Sequence, residues 1–196
     1  MKKESIYSEV LSMLNDRVDY KSITLLEVAS RCGMGKSTIY EYFSSKDEMI
    51  FNSMIYYLNN MIKFFSQESF EITSFRESLR TYIKAVMISM KGNFWMVMPW
   101  TFTDSYSTFL LEEDAVVVSS MLKKCQQIVY SLFSSILEKG EEEGRFEVVD
   151  ERCKKFAYNA LIMSISEKID KNYDVTSEDC ALFIDEMCEC ILREIK

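Results

Sequence analysis

The stretch Thr24-Leu25-Leu26-Glu27-Val28-Ala29-Ser30-Arg31-Cys32-Gly33-Met34-Gly35-Lys36-Ser37-Thr38-Ile39-Tyr40-Glu41-Tyr42-Phe43 holds two short helical patterns separated by four residues. Leu25, Val28 and Ala29 recur at spacings of three and four, which predicts a helix over 24–31. Thr24 is placed to cap it, with Glu27 completing a capping box. A second short helix is expected over 36–42, after the turn Cys32-Gly33-Met34-Gly35. Gly33 supplies the positive φ that so tight a turn requires, and Ala29 is small enough for two helices to cross closely. The plan is that of a helix-turn-helix.

Outward from this stretch the chain is punctuated at few places: Gly33 and Gly35, Gly92 and Pro99, Gly140 and Gly144. Between them apolar residues keep helical spacing, and no alternating strand pattern occurs. A helix over 3–18 places Ile6, Val10, Met13 and Leu14 on one face. Ser45, ahead of Lys46-Asp47-Glu48, opens a helix running to about 66, because acidic residues in a first turn favour the positive end of the helix dipole. Ser74 begins another, to about Lys91, where Gly92 stops it. The aromatic segment 93–110, broken by Pro99, reads as one or two short helical pieces. The longest helix is expected over 113–139, ending in the charged stretch Glu138–Gly144. Asp150 starts a helix to about 171, and Ser177 caps a last one to about 194. The fold class is all-α, with eight or nine helices.

Composition narrows the function. Hydrophobic residues at 48% exclude a disordered chain. No apolar run is long enough to span a bilayer, and the N-terminus carries no apolar signal core, so a cytoplasmic protein without membrane association is expected. With no histidine, Ser-His-Asp, Cys-His and His-zinc chemistry are removed. The cysteines, Cys32, Cys125, Cys153, Cys180, Cys188 and Cys190, include no CxxC pair and read as thiols in a reducing compartment, not as a metal site. No cofactor is expected. Net charge is −8, but residues 1–50 hold seven Lys/Arg against eight Asp/Glu, a net of −1, which leaves −7 for the other 146. The acidity therefore lies mainly outside the helix-turn-helix segment.

The run Ile23–Met49 closely resembles the DNA-binding domain of the tetracycline-repressor (TetR) family. The resemblance is carried by Thr24-Leu25, Ala29, Gly33, Thr38, the Tyr40-x-Tyr42-Phe43 cluster and Ser45-Lys46-Asp47-Glu48. It covers about residues 5–60; beyond it only Gly140…Gly144-Arg145-Phe146 is familiar. It implies a second helix that presents Lys36, Ser37 and Thr38 to the major groove, with Tyr40, Tyr42, Thr24 and Lys46 on phosphate. These seven residues are the expected DNA contacts. Three features depart from the pattern or oppose it. Gly35 stands where the family usually has serine, Ser37 where it has glycine, and Glu41 puts a negative charge on the reading helix.

The resemblance further implies a helix-turn-helix domain at 1–48 and a helical ligand-binding and dimerisation domain at 49–196. Flexible methionines and aromatics around a proline-broken segment suit an adaptable apolar pocket. Its candidate lining is Met87, Trp95, Trp100, Tyr106, Phe109 and Tyr130. The last two helices present Phe156, Ala160, Leu161, Phe183, Met187 and Ile191 as a candidate dimer interface. The expected function is that of a homodimeric transcriptional regulator, a repressor released from a palindromic double-stranded DNA operator by a small lipophilic or aromatic effector. The alternatives are a ligand-binding or adaptor protein of this fold that has lost DNA binding, and a helical enzyme, which the missing histidine disfavours.

Overall fold

The computed structural model describes residues 2–15, 22–66, 70–90, 112–169 and 173–194. All described regular structure is helical, in eight elements: α1 (Lys2–Asn15), α2 (Leu25–Arg31), α3 (Lys36–Tyr42), α4 (Lys46–Phe65), α5 (Phe75–Met90), α6 (Glu112–Glu142), α7 (Glu151–Lys168) and α8 (Glu178–Glu194). The expected aromatic pieces at 93–110 lie outside the described residues, as do the ends of the helices expected to reach 18 and 91. The helix expected to reach about 171 stops at Lys168, because Ile169 already has an extended backbone (φ −88°, ψ 121°).

The chain divides into two compact units, one within Met1–Ile62 and Gly92–Cys125, the other within Lys63–Lys91 and Gln126–Lys196. In the first, Ile6, Val10 and Met13 of α1 meet Val28 and Ala29 of α2, Ile39 of α3, and Met49, Ile50, Met54 and Leu58 of α4, with Phe43 closing the core. Val118 and Leu122 of α6 join the same cluster. One apolar face from each short helix suffices, since neither is long enough to be stable alone.

In the second unit the fully buried Tyr82 donates its hydroxyl hydrogen to the Val129 carbonyl at 3.1 Å. Its ring lies 5.7 Å from that of Phe133, which in turn faces Tyr158 at 5.8 Å. Arg76 and Arg80 of α5 pair with Glu189 and Asp185 of α8. The buried Lys154 reaches Glu138 at 3.4 Å and Glu141 at 3.9 Å.

One helix end differs from expectation. The longest helix does not stop before Gly140 but runs through it to Glu142. Gly144, at φ +66°, is the terminator: its N–H bonds the Glu141 carbonyl and the Arg145 N–H bonds that of Gly140, both at 3.0 Å. This is a Schellman turn, with the left-handed residue just past the helix. Gly140 serves another purpose. A methyl group there would lie 2.7 Å from Cε1 of Phe146 and 2.8 Å from Cδ2 of Phe75.

Candidate nucleic-acid interface

The turn between α2 and α3 is built as the sequence predicts. Gly33 has φ +65°; its N–H bonds the Ser30 carbonyl at 3.1 Å, and the Met34 N–H bonds that of Ala29 at 2.8 Å. Buried Val28, Ala29 and Ile39 pin the two helices to the core, so the turn fixes the direction of α3. At the start of α2, Thr24 Oγ1 accepts from the Glu27 N–H at 3.1 Å. The capping box is half made, because the Glu27 carboxylate accepts from Arg31 at 3.3 Å instead. Arg31 also donates to Glu9 of α1 at 3.3 Å, and that hydrogen bond is the main cause of its raised pKa. A cation of the first unit is thereby held by two carboxylates, a linkage of which only the Glu27–Arg31 spacing was visible in the sequence.

Helix α3 begins at Gly35, whose extended backbone (φ −73°, ψ 156°) makes it an N-cap without a side-chain hydrogen bond. Lys36, Ser37, Tyr40 and Glu41 are exposed, with Tyr40 at 49%, and Thr38 and Tyr42 are half-buried. Thr24 is exposed and Lys46 half-buried at the starts of their helices. Six of the seven expected DNA contacts thus fall on α3 or at the start of α2, and Lys46 opens α4.

At that end of α4, Ser45 Oγ accepts from the Glu48 N–H at 3.1 Å, and the Glu48 carboxylate accepts from the Ser44 N–H at 2.7 Å and the Ser44 hydroxyl at 2.6 Å. The bonds from Ser44 hold the Glu48 carboxyl below its usual pKa, with the positive charge of Lys3 adding to them. Lys3 also stands 5.6 Å over the Phe43 ring.

The other candidates fall in different surroundings. Met87 is fully buried, with the Cys180 thiol 3.9 Å from its sulfur. Tyr130 is half-buried, donates to Glu151 at 2.8 Å, and has its phenol pushed up to about 12, first by desolvation and then by that carboxylate. Trp95, Trp100, Tyr106 and Phe109 lie outside the described residues. Of the candidate dimer residues, Phe156 is 63% exposed, Ala160 is exposed and Met187 half-buried. Leu161, Phe183 and Ile191 are buried within the second unit itself. Met163 and Leu182, at 53% and 59% exposure, extend the outward apolar surface. Among the described residues no group of His, Cys, Asp or Glu is arranged to hold a metal ion, and no helix is long and apolar enough to cross a membrane.

Two short helices locked by a glycine turn, with the second offering a polar face away from the core, form a helix-turn-helix. The sequence model for "Bacterial regulatory proteins, tetR family" matches residues 13–52. No curated protein matches the chain. Among solved structures it is similar to the TetR-family regulator PfmR of Thermus thermophilus, at TM-score 0.65 and 19% identity over 97% of this chain and 98% of that one. It is also similar to the ketosteroid regulator KstR2 of Mycobacterium tuberculosis (0.66; 16%; 100% and 95%). A third is the regulator FadR of Bacillus subtilis, solved with stearoyl-CoA (0.62; 16%; 98% and 98%). The N-terminal segment thus matches the tetR family over residues 13–52, and the chain has the fold of these regulators.

Proposed function

We propose that this chain is a homodimeric repressor in which residues 1–48 read a palindromic DNA operator and residues 49–196 bind a small ligand and dimerise. The observation that carries this is the surface of α3, where Lys36, Ser37 and Tyr40 are exposed around an N-terminus fixed by the Gly33 turn. Lys36 reaches a guanine edge or a phosphate, Ser37 and Thr38 a base or a phosphate, and the Tyr40 and Tyr42 hydroxyls and the helix starts at Thr24 and Lys46 reach phosphates. Because two reading helices must meet major grooves about 34–36 Å apart, a two-fold dimer is required. Phe156, Ala160 and Met163, spaced by four and three on α7, form an outward apolar stripe suited to it.

The ligand class is lipophilic or aromatic. Met87 is a buried, adaptable methionine, and the similar structures of FadR, solved with stearoyl-CoA, and of the ketosteroid regulator KstR2 support this class. The ligand acts by favouring dimers whose reading helices are wrongly spaced for DNA, and only as far as its affinities for the two states differ. The protein acts in the cytoplasm through binding equilibria, with no bond-making step. The test is DNA binding to genomic fragments from the source organism. Lys36→Ala and Tyr42→Phe, which keeps the ring, are each expected to weaken binding about tenfold, with Lys36→Ala also flattening the salt dependence. Unchanged, salt-insensitive binding would overturn the assignment.

A further inference from the structure

Helix geometry sorts the side chains of α3 more finely than exposure does. Successive residues are rotated by about 100°, and Ile39, fully buried, marks the direction of the core. Ser37 and Glu41, two residues to either side, then lie within about 20° of the opposite direction. Lys36 and Tyr40 fall on one flank of that ridge, Thr38 and Tyr42 on the other. A helix seated in the major groove turns its ridge to the base edges and its flanks to the two phosphate walls. Glu41 therefore occupies a base-facing position, one turn beyond Ser37.

The Glu41 carboxylate has no hydrogen-bond or ion-pair partner among the described residues. Carboxylates of the neighbouring helices are engaged by contrast: Glu27 of α2 and Glu9 of α1 hold Arg31, and Glu48 of α4 holds Ser44. A free anion on the face that meets polyphosphate costs affinity for every sequence alike. An ionised carboxylate only accepts hydrogen bonds, and the donors on major-groove base edges are the cytosine and adenine amino groups. Adenine sets the N7 lone pair beside its amino group, whereas cytosine sets a C–H there, so the carboxylate discriminates in favour of cytosine.

We propose that Glu41 is a specificity-determining residue that accepts a hydrogen bond from a cytosine amino group in each operator half-site and repels sites lacking it. This rests on the assignment of α3 as the DNA-reading helix. The experiment is selection of bound sequences from a random duplex pool by the full-length wild type, Glu41→Ala and Glu41→Gln, followed by titration of single-base variants of the selected site. In the wild type, replacing one C·G pair per half-site is expected to cost about tenfold. Glu41→Ala is expected to lose that preference while keeping the others and binding unrelated DNA more tightly. Glu41→Gln is expected to move it toward adenine, which glutamine reads through N6 and N7. If Glu41→Ala binds every sequence more tightly with an unchanged motif, the side chain is only a repulsive charge and the inference fails, while DNA reading by α3 stands. If the wild type selects no sequence at all, the DNA-reading assignment itself falls.

Discussion

The chain uses the same backbone device twice, after α2 and after α6, and sets it in contrasting surroundings. At both places a glycine at φ near +65° follows a helix and two backbone bonds close a Schellman turn. Around Gly33 the turn is open, and a methyl group added there would meet nothing within 4 Å. Gly144 is equally open, but one helical turn before it Gly140 lies against the rings of Phe146 and Phe75, which contact each other edge to face at 5.3 Å. The first turn aims a helix, and its neighbourhood is left clear. The second anchors a helix, and its neighbourhood is packed. A shared turn geometry therefore says how a helix ends without saying what the ending is for.

The contrast makes its largest prediction at Gly140. Alanine there adds a methyl group against the buried Phe75 ring, an overpacking expected to cost about 2 kcal/mol even after alanine's better helix propensity is counted. Thermal or denaturant unfolding measures it, and a neutral or stabilised variant would show that the rings yield freely. Next come Gly33→Ala and Gly144→Ala, which strain only the backbone and should each cost about 1 kcal/mol. The two are expected to part in function: Gly33→Ala loosens the aim of α3 and weakens DNA binding, whereas Gly144→Ala leaves it unchanged. Equal effects on DNA would erase the distinction between an aiming turn and an anchoring one.

The smallest effect is expected at Glu48, where the first unit ties its reading segment to α4. Its carboxyl pKa is lowered in the fold, so its contribution to stability is present above the ordinary glutamate value and is lost as pH falls through the folded one. Glu48→Gln should therefore melt earlier than the wild type near neutral pH, with the gap closing in acid. Asp150, which caps α7 in the second unit by accepting from the Cys153 N–H at 2.9 Å, has its pKa lowered for the same kind of reason. A gap at Glu48 that persisted unchanged into acid would mean the side chain acts by shape and not by charge.

Much of the reading segment was legible in the sequence because its determinants are local. The limits of α2 and α3, the cap at Thr24 and the left-handed Gly33 follow from side chains within four residues of one another. The end of α6 was not legible. Two glycines four apart give the same sequence signal, and only the rings of Phe75 and Phe146 distinguish the one that needs space from the one that needs a positive φ. Glu27 likewise offers a capping-box partner in sequence, yet Arg31 takes its carboxylate. Among the candidate dimer residues, helical spacing marked Leu161, Phe183 and Ile191 as apolar alongside Phe156, but periodicity cannot tell a face turned to the unit's own core from one turned outward.

By itself, then, the sequence determined that the chain is all-helical, where its short helices begin and end, and that a glycine-locked turn presents Lys36, Ser37 and Thr38 together. Those properties are set by backbone propensity, capping and spacing, which act over a single helical turn. Only the tertiary structure decided which side of each helix is left outside. It turned Ile39 inward and so Ser37 and Glu41 outward, engaged Arg31 with Glu9 twenty-two residues away, and buried Leu161 while leaving Phe156 exposed. Burial and pairing depend on what a neighbouring helix brings, and that is fixed by packing between residues far apart in the chain.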